Sequence, residues 1–315
     1  MREGLFIKKN KDRWEKTEYL PPEDADELAR DFIKLTDDLA YAKTFYPTSR
    51  VAAYINALAA RIYLGIYQNR KEENNRLVQF WKVDLPLTIC RHHSVVLFSF
   101  LLFLLFFSVG FFSSMGDESF VRQMLGDGYV DMTEKNIEGG NPFGVYESGN
   151  SFLMWMGFMI NNIMVSLMYF VRGIALGVLS ILALVKESIR LGAFEYMFYS
   201  KGLGGRAVLT VLLHGFLELT AIIIACAAGI VLGKSYLFPG TVSRLQAFRQ
   251  GAKDGVKIVI GLMPVFAIAA FFEGFVTRHY KMPVWMSGGL LLLSALFVIY
   301  YFIVYPIRLQ QKLKR

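Results

Sequence analysis

The chain has 315 residues, of which 54% are hydrophobic and 19% charged, with a mean hydropathy of +0.39. A soluble domain of average usage carries about a quarter charged residues, so this apolar excess excludes an ordinary soluble globule and points to lipid. The formal net charge of +8 does not point to nucleic acid, because the basic residues sit in short segments between apolar runs and at the C-terminal end, the distribution that sets membrane topology.

No apolar run precedes residue 90, so no cleavable signal peptide is expected and the first spanning segment must act as the insertion signal. Residues 1–20 are mixed and charged, with Trp14 and Tyr19 as isolated aromatics. Pro22-Glu23-Asp24-Ala25-Asp26 reads as a helix start, with proline near the first position and acids suiting the positive end of the helix dipole. Leu28, Phe32, Ile33, Leu35 and Leu39 follow at helical spacing. Tyr46-Pro47-Thr48-Ser49 marks a turn, and Thr48 or Ser49 can cap a second long helix. Its apolar stripe is Val51, Tyr54, Ile55, Leu58, Ile62, Leu64 and Tyr67. Residues 1–92 are therefore read as a cytoplasmic helical head. No phosphate loop, zinc spacing or catalytic elbow occurs in it.

A spanning helix needs about 20 apolar residues. Six candidates lie in 93–315: Ser94–Phe112, Ser151–Val171, a segment from Gly173, Ala207–Gly233, Ile258–Thr277 and Val284–Ile307. The third is interrupted by Lys186, Glu187 and Arg190, so it is either a tilted span or half of a re-entrant hairpin. Between the fourth and fifth lie Lys234, Arg244, Arg249, Lys253 and Lys257 against one acid, Asp254, and the tail carries Arg308, Lys312, Lys314 and Arg315. Both are expected in the cytoplasm. The stretch 113–150 holds seven acids against Arg122 and Lys135 and is expected as an extracytoplasmic loop. Cys90 and Cys226 differ in depth and are not expected to form a disulfide.

His214 and Glu218 are four apart and share one face of the fourth span. Glu273 and Thr277 repeat the theme on the fifth. A charge at mid-membrane costs about 2.5–3.5 kcal/mol on insertion scales, so these residues must face the bundle or water. Four readings stand side by side: interhelical polar glue, a proton or ion site, a metal site, and intramembrane hydrolysis. No fourth metal ligand is evident in the sequence, and neither a metal nor a cofactor is expected. Asn161 and Asn162 point about 100° apart on a helix, so at least one faces protein. Ala221, Ala225, Gly229 and Gly233 recur every four residues, and Ala270 with Gly274 makes a shorter stripe. Small-residue faces let another backbone approach closely. Pro264 is expected to kink the fifth span. His92 and His93 are read as the flank of the first.

The run His214-Gly215-Phe216-Leu217-Glu218-Leu219, with Ala228-Gly229 and Gly233, resembles the stage II sporulation protein M family. Pro239-Gly240, Gly251, Pro264, Glu273-Gly274-Phe275-Val276-Thr277, Asn161-Asn162 and Gly192-Ala193 fit the same pattern. Lys186-Glu187 departs from it, standing where that family tends to have Asn-Gly. The resemblance implies a membrane scaffold that holds partner proteins, without the sporulation role itself.

The expectation is thus an all-α polytopic bundle in the bacterial inner membrane, with both termini cytoplasmic. Its function would be scaffolding or assembly through a homo-oligomer or other membrane or cytoplasmic proteins. The alternatives are a proton- or ion-coupled transporter or channel, and then an intramembrane hydrolase.

Overall fold

The computed structural model describes residues 2–19, 25–68, 76–142, 150–276 and 282–314. Every element among them is helical. Two compact units divide at Arg76/Leu77.

The first unit contains α1 (Glu3–Tyr19), α2 (Ala25–Phe45) and α3 (Arg50–Gln68). Ser49 opens α3 by accepting from the Val51 amide at 3.1 Å. Phe6, Trp14, Leu35, Ala42, Ile55, Leu58 and Ile62 close a core of their own. Trp14 is no isolated aromatic: its Nε1 donates to Asp38 at 2.7 Å, and Asp38 also pairs with Arg13. α1 shows few apolar residues in sequence because it buries only Phe6, Trp14 and Thr17. Ile33 and Leu64, placed on the apolar stripes by spacing, are exposed. The expected helix start at Pro22 falls at residues 20–24, outside the described residues.

The second unit opens with α4 (Arg76–Gln79), a π-turn (Phe80–Asp84) and α5 (Leu85–Arg91). This places the boundary before residue 77 and not at 92/93. The reason is packing: Leu85 and Ile89 are fully buried in the membrane unit's core, and the Tyr301 hydroxyl donates to the Trp81 carbonyl at 2.7 Å.

α6 (His93–Gly116), α9 (Ser151–Val171), α11 (Gly204–Leu237) and α12 (Arg244–Phe271) follow, then α13 (Val284–Val298) and α14 (Tyr305–Leu313). Five helical runs are long and apolar enough to cross a membrane: His93–Gly116, Ser151–Ile174, Gly204–Leu237, Arg244–Val276 and Val284–Leu313. The third expected segment forms α10 (Val178–Ser200), one continuous helix of 23 residues. At 1.5 Å per residue it is about 34 Å long, so it is neither short nor broken into a hairpin. Its four charged residues set it apart from those five. It nonetheless runs the depth of the bundle. Cys226 donates to the Ser180 carbonyl near its start, and Phe111 packs on Tyr196 and Tyr199 near its end.

α10 follows α9 through a 3-10 turn (Arg172–Ile174) and Gly177, whose φ of +81° is left-handed. Leu176 and Gly177 lie against Gly233, where an added Cβ would overlap the Gly177 nitrogen and the Leu176 carbonyl. Within the expected loop 113–150, the described residues are less loop-like than their composition suggests. They fold into α7 (Glu118–Leu125) and α8 (Asp127–Glu138), which pack on α10 through Val121, Val130, Met197 and Phe198. Asp117 caps α7 by accepting from the Ser119 hydroxyl at 2.9 Å and the Ser119 amide at 2.8 Å, and these bonds hold its carboxyl below the usual range. Residues 244–257 are helical as well, so the fifth span is the inner part of a longer α12.

α11 forms the centre. Ala221, Ala225, Cys226 and Ala228 are fully buried, and α6, α9, α10, α12 and α13 surround it. α6, α9 and α13 expose Phe, Leu and Met side chains over much of their length, the surface lipid requires.

Candidate functional site

α11 presents His214 and Glu218 one turn apart on the same face. Pro264 lies inside α12, which continues into a π-turn (Phe272–Val276). The wider turn carries Glu273. Such turns recur at functional sites because they re-aim a side chain and loosen the backbone ladder.

The result is a compact polar cluster. His214 Nε2 lies 4.0 Å from Glu273 Oε1, with side-chain exposures of 6% and 12%. One ligand atom from each of His214, Glu218 and Glu273 lies within 4.8 Å of the others. Two carboxylates and an imidazole this close need protons or a cation to offset their charge in apolar surroundings.

The two asparagines of α9 take different places. Asn161 is exposed and Asn162 is buried, and the Asn161 amide reaches Asn162 Oδ1 at a long 3.4 Å. The Asn162 side chain lies beside the Glu218 carboxylate, while its Nδ2 has no hydrogen-bond partner within normal distance. Thr277 lies outside the described residues, as do Arg278, His279 and Lys281.

The small residues let the helices that carry this cluster come close. Gly274 lies against the α9 backbone, where a Cβ would sit 3.2 Å from the Trp155 nitrogen. A Cβ at Gly229 would overlap the Ser180 hydroxyl and the Tyr169 carbonyl. Ala270 is fully buried.

Sequence reasoning missed two acids and one seam. Asp254 is 3% exposed, and its Oδ2 takes Arg91 Nη1 and His92 Nε2, both at 3.0 Å. Gln250 donates to its other oxygen at 3.0 Å. His92 is therefore a partner for an acid, beyond an insertion flank, and His93 contacts the Phe302 carbonyl at 3.1 Å. Glu195 is 8% exposed and lines an apolar cavity of about 490 Å³ with Phe103, Phe107, Leu212 and Phe216. The missed seam joins Gly110 of α6 to Gly192 of α10, backbone against backbone. Glu187 and Arg190 pair at 2.5 Å and line a cavity under α7 and α8 with Tyr129 and Phe194.

Residues 99–278 match the family described as Stage II sporulation protein M. The chain belongs to this family. The match takes in α9 to α12 and the whole His214–Glu218–Glu273 cluster, so the cluster belongs to the family-defining region of this stage II sporulation protein M family member. Residues 4–68 match a second family, a domain of unknown function (DUF8413), which coincides with the helices of the first unit. No curated protein and no solved structure matches the chain.

Proposed function

We propose that this family member is a scaffold of the bacterial inner membrane, anchored by the bundle and recruiting partner proteins through the helical unit at residues 2–68. The observation that carries this reading is the pairing of a bundle seamed by backbone contacts with an N-terminal unit that closes its own core. That unit presents a cavity of about 430 Å³ lined by Glu3, Lys11, Glu15, Glu18, Arg50 and Tyr54, a mixed-charge surface suited to a polar protein partner.

The bundle supports the orientation. Val95 of α6 packs on Ala227 and Val231 of α11, and Cys90 reaches Gln310. The start of α6, the α11–α12 junction and the C-terminal helix therefore share one end, which gathers Lys234, Arg244, Arg249, Lys253, Lys257, Arg308 and Lys312. The positive-inside rule makes this end cytoplasmic. In a chain with Cys90 and Cys226 replaced, a cysteine at Ser119 labels with an impermeant maleimide from outside intact cells, and one at Ser243 does not. The reverse pattern rejects the orientation.

The scaffold reading is tested by quantitative affinity purification from native membranes. Defined partners co-purify at fixed stoichiometry with the full chain and are lost when residues 2–68 are deleted, while the bundle remains in the membrane. An unchanged partner set refutes recruitment through this unit. A second reading, a proton- or ion-coupled transporter, is favoured by the three ionisable groups of the buried cluster. Reconstituted into proteoliposomes, a transporter passes protons or small ions at rates that fall with Glu218→Gln, whereas a scaffold shows no flux in either form.

A further inference from the structure

We propose that His214, Glu218, Glu273 and Asn162 form a binding site for one divalent transition-metal cation of the zinc class. The inference is independent of the scaffold reading. It rests on what three helices bring to one point.

The donor set has the right chemistry. An imidazole nitrogen and two carboxylates are the ligands that suit zinc and its first-row neighbours. Calcium and magnesium favour oxygen-only shells, so the imidazole argues against them. Copper(I) and iron–sulfur chemistry want thiolates, and Cys226 is engaged elsewhere with the Ser180 carbonyl.

The electrostatics agree. A cation of charge +2 between two carboxylates leaves a site of no net charge, the state that apolar surroundings tolerate best. The spacing is that of an open site. Ligand atoms around a tetrahedral zinc lie about 3.3 Å apart, given bonds of about 2.0 Å. Here they lie within 4.8 Å, and rotation of the two glutamate side chains closes the difference.

Asn162 is the independent observation. It is 5% exposed, its side chain faces the Glu218 carboxylate, and its terminal nitrogen makes no hydrogen bond of normal length. A buried amide group left unpaired costs about 1–3 kcal/mol unless something completes it. Turned about its terminal bond, the Asn162 amide offers its oxygen to the cluster as a fourth ligand. Glu218 and Glu273 retain partial exposure.

The experiment uses the full-length chain in nanodiscs, with no polyhistidine tag, stripped with a chelator and titrated with zinc chloride in excess magnesium. His92→Ala is carried throughout to remove the other imidazole found beside a carboxylate among the described residues. The expected result is one zinc per chain at micromolar affinity or tighter. Glu218→Gln and Glu273→Gln each weaken it at least tenfold, and Asn162→Leu weakens it less. Cobalt substituted into the His92→Ala protein gives a visible ligand-field spectrum that His214→Gln alters. That spectrum does not depend on whether a glutamate variant folds. Failure of the His92→Ala protein to retain zinc or cobalt overturns the proposal, and so does wild-type affinity in folded Glu218→Gln and Glu273→Gln. An unchanged partner set on deletion of residues 2–68 would count against the scaffold and leave this result untouched.

Discussion

Replacing Gly192 by alanine tests whether the α6–α10 seam is as tight as its geometry requires. An added Cβ would overlap the Phe107 carbonyl oxygen and lie 2.7 Å from the Phe111 nitrogen and 3.1 Å from the Gly110 carbonyl carbon. Carbon contacts prefer about 3.5–4.0 Å, so the two helices must part by about 1 Å. No side-chain rotation relieves the clash, because every atom met is backbone. Overpacking costs about 1–3 kcal/mol, and the upper part of that range applies here. Alanine recovers up to about 1 kcal/mol of helix propensity over glycine. The net expectation is a loss of about 2 kcal/mol. Gly289→Ala is the control, since nothing lies within 4 Å of its added methyl; it is expected to be neutral or to stabilise by up to about 1 kcal/mol. Equilibrium unfolding in mixed micelles titrated with a denaturing detergent measures both. Equal stability of the two variants refutes the seam.

Two further outcomes follow from other contacts. Arg91→Ala with His92→Ala leaves the buried Asp254 carboxylate with Gln250 as its remaining side-chain donor, and should cost about 3–5 kcal/mol. Adding Asp254→Asn removes the stranded charge and should recover most of that loss in the same unfolding assay; no recovery would show that charge is not the cause. In the first unit, burial and the hydrogen bond to Glu18 push the Tyr54 hydroxyl up to about 12 from 10.0. The folded state therefore holds this proton more tightly than the unfolded state, and the stability it contributes is complete below pH 10 and disappears between about pH 10 and 12. Thermal unfolding followed by Trp14 fluorescence, with Trp81, Trp155 and Trp285 replaced by Phe, should show a decline in that window that Tyr54→Phe abolishes.

The sequence alone determined the material of the fold: which segments enter lipid, that α11 and α12 form the interior, and to which family they belong. Hydropathy and small-residue spacing are properties of single helices, and a helix such as α6 or α13 exposes its Phe and Leu side chains whatever stands beside it. His214 and Glu218 were legible together because four residues make one turn. What joins Glu273 and Asn162 to them is different in kind. It depends on the axial register of three helices, on a π-turn that adds a residue at 272–276, and on the backbone contacts at Gly229 and Gly274 that set how close the helices come. Asp254 looked like one acid in a basic linker until the fold of α5 set Arg91 and His92 against it. α10 read as either a tilted span or half of a re-entrant hairpin because its charges were counted without α7, α8 and the Glu187–Arg190 pair that accommodate them. Trp14 looked stray because α1 buries only one side of a charged helix. In each case the deciding quantity is a distance between residues far apart in the chain, which only packing sets.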